Sequence, residues 1–147
     1  MPFGSLTNLK ELDIRWNKLD SDSLVGMEKL KSLEKMNLSS CGLTKLPFSL
    51  DSLTNLKELD ISQNALDSDS LVGMEKLTSL EKMNLSSCGL TKLPFSFGSL
   101  TNLKELDIRW NKLDSDSLVG MEKLKSLEKM NLSFCDLTKL PFRSVPA

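Results

Sequence analysis

The 147-residue chain contains no histidine and no tyrosine. Those absences remove the usual general base, the Ser-His and Cys-His pairings and the commonest metal ligand. An enzymatic reading therefore starts at a disadvantage, and no catalytic residue, metal site or cofactor is expected. Aromatic residues are scarce, at 5%. No apolar run approaches the roughly 18 residues that a membrane span needs, and no signal-peptide pattern opens the chain. These features point to a soluble, cytoplasmic protein with no membrane partner. The net charge is only −1, and the basic residues are spread evenly, so no phosphate-tracking groove is implied and nucleic acid is not an expected partner.

Cysteine is also sparse. Cys41, Cys88 and Cys135 recur every 47 residues. If that spacing is two coils of stacked strands, neighbouring thiols lie about 9.5 Å apart, beyond the roughly 4.4 to 6.8 Å Cα separation of a disulfide. Three reduced thiols, and hence a reducing compartment, follow.

What the chain does have is repetition. Leu6-Thr7-Asn8-Leu9-Lys10-Glu11-Leu12-Asp13-Ile14 returns from Leu53 and from Leu100, and a period in the range of about 20 to 50 residues marks a stacked repeat. Each 47-residue unit splits into coils of 24 and 23 residues, whose strands begin at Leu9, Leu33, Leu56, Leu80, Leu103 and Leu127. In the stretch Leu56 to Leu66, Leu56, Leu59 and Ile61 are expected to face a core, while Glu58, Asp60 and Ser62 face outward. Asn64, at the strand exit, is placed to bond the backbone of the next coil. Leu24, Met27 and Leu30 recur every third residue on the first return segment, so a short helix is expected there with Ser21 or Asp22 as its N-cap. Gly26 inside it costs about 1 kcal/mol against Ala, and close packing between coils is the reason to keep it. The alternate return, Leu46-Pro47-Phe48, is expected to be extended or one tight turn, because Pro47 lacks a donor and has a fixed φ.

Met1 to Ser5 reads as the tail of a preceding repeat, Arg143 to Ala147 departs from the unit, and no polar cap is visible at either end. A single coil cannot offset its backbone entropy, about 1 to 2 kcal/mol per residue, so stacking closes the gap. Uncapped ends would then expose core, as expected of a segment of a longer protein, an idealised repeat, or a chain that self-associates.

Stacking turns strand positions into columns. Position two reads Lys10, Glu34, Lys57, Glu81, Lys104, Glu128, and position three reads Glu11, Lys35, Glu58, Lys82, Glu105, Lys129. This checkerboard serves register and solubility, at about 0.2 to 1 kcal/mol per exposed pair. Position five alternates Asp13, Asn37, Asp60, Asn84, Asp107 and Asn131. Its carboxylates, about 9.5 Å apart, are too distant to share a proton or to cage calcium, but they could meet basic or polar groups of a partner. Positions seven and eight vary most among the copies: Arg15-Trp16, Ser39-Ser40, Ser62-Gln63, Ser86-Ser87, Arg109-Trp110 and Ser133-Phe134. Trp and Arg are frequent interface anchors, and Trp110 beside Phe134 would make an aromatic pair. Alternatively, the Trp rings only shield the strand-exit turn. The candidate partner-binding set is Asp13, Arg15, Trp16, Asp60, Gln63, Asp107, Arg109, Trp110, Asn131 and Phe134.

The pattern L-x-x-L-x-L-x-x-N-x-L, read at Leu56 to Leu66 and recurring with small changes six times, resembles the leucine-rich repeat superfamily. Leu90 to Leu103 is similar to the intracellular Ras-group form of the repeat, whereas the alternate coils, with Leu66-Asp67-Ser68-Asp69-Ser70-Leu71, lack its Leu-Pro pair. The resemblance implies an α/β right-handed solenoid of six coils in one domain, with a parallel sheet on the concave face and short helical or extended segments on the convex face. It also implies a non-enzymatic module that binds a protein partner, such as a cytoplasmic signalling scaffold. A self-associating structural segment and a ligand-sensing receptor fragment are the alternatives. One chemical expectation follows from cysteine spacing: the denatured chain titrates three thiols, and fewer than three per chain without intermolecular links overturns it.

Overall fold

The computed structural model describes residues 5–46, 50–93, 97–118 and 120–137. Six three-residue strands, β1 (Glu11–Asp13), β2 (Lys35–Asn37), β3 (Glu58–Asp60), β4 (Lys82–Asn84), β5 (Glu105–Asp107) and β6 (Lys129–Asn131), form one sheet in chain order. Every pair is parallel, and the register puts Glu11, Lys35, Glu58, Lys82, Glu105 and Lys129 in one row. The fold is the expected solenoid of six coils with the parallel sheet on its concave wall.

Inside, Leu56, Leu59 and Ile61 are at most 2% exposed, and their equivalents form one continuous core along the stack. The core opens at the two ends, where Leu6 and Met130 are 46% and 41% exposed although their counterparts Leu53, Leu100, Met36 and Met83 are buried.

The convex returns are 3-10 turns, and the first is split in two: Ser21–Leu24 and Met27–Lys29. The two later units repeat the split. A spacing of three is the natural period of a 3-10 helix, where i and i+3 eclipse, and it buries Leu24, Met27 and Leu30 completely. The break falls at an extended Val25 and a left-handed Gly26 with φ of 96°. Gly26 is thus the N-cap of the second turn, and not a helix-interior residue. Close packing between coils is also present: at the equivalent Gly73, a Cβ would lie 2.9 Å from Cβ of Asp51. The first turn's N-cap is Asp20, not Ser21 or Asp22; in the middle unit Asp67 does the capping, its carboxylate accepting from Asp69 N–H. The alternate returns contain Leu50–Ser52 and Phe97–Ser99. The expectation for Pro47 and Phe48 falls outside the described residues.

The strand-exit Asn does bond a neighbouring coil, but the preceding one, not the next. Asn64 Nδ2 donates to Leu38 O at 2.9 Å, and its Oδ1 accepts from Cys41 N–H and Leu43 N–H, both at 3.0 Å. Asn111 makes the same contacts to Leu85, Cys88 and Leu90. Direction follows from the coil's path: the chain turns inward just after the strand, over backbone groups that the earlier coil has left unpaired. Asn17 has no earlier coil among the described residues, and its amide donates only locally to Ile14 O and Arg15 O. Asn64→Ala strands two buried N–H groups and a carbonyl at about 1 to 3 kcal/mol each, so a loss of at least about 3 kcal/mol is expected in urea denaturation. Exposed Asn17→Ala should cost less than about 1 kcal/mol, and equal costs would overturn the ladder's role.

Candidate functional site

The charged columns of the concave wall neutralise each other across the strands. Lys35 meets Glu58 at 3.5 Å, Lys57 meets Glu34 at 3.9 Å, and Lys82 meets Glu105 at 3.5 Å. Lys129 also reaches Glu105, at 3.2 Å, and these lysines, Lys129 foremost, hold the Glu105 carboxyl below its ordinary range. All six strands line one open groove of about 620 Å³, in which one row alternates Glu and Lys and another alternates Asp and Asn.

Position five is occupied with a local task. Asn37 Oδ1 accepts from both N–H and Oγ of Ser39, and Asp60 Oδ1 does the same for Ser62, at 3.0 and 2.6 Å. Asn131 holds Ser133 likewise. Asp13 and Asp107 accept from the backbone N–H of Arg15 and Arg109 and pair with their guanidinium groups at 3.4 and 3.3 Å. Each is an Asx-type cap that turns the chain out of the strand. Ser62, expected on the free wall, is consequently buried beneath its cap, at 5% exposure. The sequence did hold a signal for this, a recurring Asp or Asn two residues before Ser or Arg.

After the cap, every position-eight residue lies in the left-handed region: Trp16, Ser40, Gln63, Ser87, Trp110 and Phe134 have φ between 54° and 62°. Such a backbone costs a non-glycine residue about 1 to 3 kcal/mol, and none of these residue types announces it. Its consequence is directional, because the side chain swings away from the core. Trp16, Trp110 and Phe134 are 75%, 56% and 65% exposed. The rings of Trp110 and Phe134 stack in parallel, with centroids 4.1 Å apart and planes 5° from coplanar. Gln63 instead accepts from Ser40 Oγ at 2.7 Å. The ten candidate residues thus divide into a capping row (Asp13, Asp60, Asp107, Asn131), two arginines tied to it (Arg15, Arg109), and an outward row (Trp16, Gln63, Trp110, Phe134). Trp110 and Phe134 are brought together, while Trp16 stands at the opposite end of the sheet.

The cysteines belong to the interior. Cys41, Cys88 and Cys135 are free and buried; each S–H points at a carbonyl of the preceding coil, that of Ile14, Ile61 or Ile108, at 3.2 to 3.3 Å. Burial pushes the Cys88 thiol up to about 11 and raises that of Cys41, so neither is a nucleophile near neutral pH. Among the described residues, no group of three His, Cys, Asp or Glu side chains could hold a metal ion, and no helix is long and apolar enough to cross a membrane.

Family models match along the chain: Leucine Rich repeats (2 copies) at residues 31–72, Leucine Rich repeat at 5–27 and 99–121, and Leucine Rich Repeat at 79–100. Among curated proteins, none matches significantly. Solved structures that resemble the chain include internalin C2 of Listeria monocytogenes (22% identity, TM-score 0.76, 94% of this chain and 57% of that one). A leucine-rich repeat protein of Leptospira interrogans is 27% identical with a TM-score of 0.74, over 90% of this chain and 33% of that one. The ectodomain of the Arabidopsis receptor kinase HAESA, solved with a peptide hormone, is 29% identical with a TM-score of 0.71, over 87% and 22%. The chain therefore spans less than two thirds of each of these relatives. With matches running over the strands of the first five coils and solenoids as structural neighbours, the chain belongs to the leucine-rich repeat superfamily.

Proposed function

We propose that this chain is a non-enzymatic protein-interaction module that offers its concave wall and strand-exit row to a protein partner, as a cytoplasmic signalling scaffold would. The observation that carries this reading is the solvent-exposed Trp110–Phe134 stack beside the groove. Holding two large rings in water, on strained left-handed backbone, has no counterpart in core packing. A preformed aromatic pair loses little side-chain entropy on contact, and such residues dominate interface energetics. Much of the charge in the groove beside it is already paired across the strands, so those charges select a partner of matching pattern more than they add affinity. A fold neighbour solved with a peptide hormone supports a peptide or protein ligand, and three buried, unbridged thiols suit a reducing compartment.

The test is selection of binders from a random displayed peptide library against the wild-type chain, followed by titration on the Trp110→Ala/Phe134→Ala variant. Loss of a hot-spot pair should weaken the selected peptides about 30-fold, or about 2 kcal/mol, with an unchanged circular dichroism spectrum. Equal binding by the variant would move the site away from this row.

A further inference from the structure

We propose that Asp60, in the middle of the concave wall, receives an arginine of the partner, carried on an extended segment that also sets an apolar residue on the Trp110–Phe134 stack. This assignment rests on the interaction role proposed above and names the partner's chemistry at that site.

The internal copies of the unit show what this position binds. In the first and third units the position-five aspartate holds the exit turn with one oxygen and an arginine with the other. Asp13 Oδ1 accepts from Arg15 N–H while Oδ2 meets Arg15 Nε at 3.4 Å, and Asp107 treats Arg109 the same way, with Nε at 3.3 Å. In the middle unit a serine replaces that arginine. Asp60 Oδ1 still accepts from Ser62 N–H and Oγ, but Ser62 brings no charge. Among the described residues, no cation lies within ion-pair distance of Asp60.

The surroundings of Asp60 do not make up the difference. Its register neighbours at position five are Asn37 and Asn84, and the lysines of the adjacent strands, Lys35 and Lys82, are held by Glu58 and Glu105. Twice as many carboxylates as lysines line the groove. A partly buried carboxylate with an open oxygen is an acceptor for a charge-assisted donor, and a guanidinium supplies it in the pairing that Arg15 and Arg109 already show.

The rim of the groove leaves the way open. Trp16 and Trp110 project beside the coils that carry arginine, whereas Ser40, Gln63 and Ser87 occupy the same position in the coils between them. The rim is therefore low over β3 and high at the aromatic stack two strands farther on. That span is about three or four residues of extended chain, at roughly 4.8 Å per strand and 3.3 Å per residue. The partner's signature is thus an arginine and an apolar residue at that separation.

Selection from a random displayed peptide library against the wild-type chain is the test, and the selected peptides should share that signature. Asp60→Asn removes the charge and keeps the turn, since Asn37 and Asn131 make the same cap. Ser62→Arg fills the open oxygen from within, as Arg15 and Arg109 do. Each variant should keep its circular dichroism spectrum and weaken the selected peptides about tenfold, as expected for a charge-assisted contact at an interface. Replacing the peptide's arginine with alanine should cost the wild-type chain the same and cost Asp60→Asn little more. Selected peptides without a basic residue, or binding unchanged in both variants, would overturn the proposal. If such peptides still fail on Trp110→Ala/Phe134→Ala, the interaction role stands and only the assignment of Asp60 falls; if they tolerate every one of these changes, both fall.

Discussion

The backward reach of a buried side-chain amide is the contact on which the rest of this molecule depends. Hydrophobic burial drives the leucines together but has no direction, and a stack of leucines alone could slip. Asn64 and Asn111 remove that freedom, since each is matched to two N–H groups and a carbonyl at fixed places on the coil before it. In the alternate coils a thiol makes one weaker bond in the same direction, as Cys41 does to Ile14 O. The unit of the solenoid is therefore two coils, with an amide junction and a thiol junction in alternation.

Capping and strain at the strand exit connect this scaffold to its surface chemistry. The position-five carboxylate or amide draws the backbone around, and the residue three places later is forced into the left-handed region. The strain persists because the ladder on one side and the cap on the other over-determine the turn. What it produces is a row of side chains projected outward beside the concave wall, and where that row carries rings, the coil spacing stacks them. The same geometry ties Arg15 to Asp13 and Arg109 to Asp107, so much of the charged wall presents matched pairs and not a field of one sign.

A repeat with few sequence changes also makes its copies mutually informative. Groups satisfied at the amide junctions of Asn64 and Asn111 recur, without a preceding coil among the described residues, at Asn17.

By itself, the amino-acid sequence determined the number of coils, the parallel register, the leucine core and the separation that keeps the cysteines unbridged within the chain. These follow from a 47-residue period and from alternation along short strands, both one-dimensional quantities. Tertiary structure decided the direction in which Asn64 bonds, the burial of Ser62, the split 3-10 returns around Gly26, and the outward swing of Trp16, Trp110 and Phe134. Each of those depends on the three-dimensional path of the backbone, at the turn itself or in the coil stacked beside it. A linear pattern can say that two groups are adjacent, but not which of them is left with an unpaired N–H to offer.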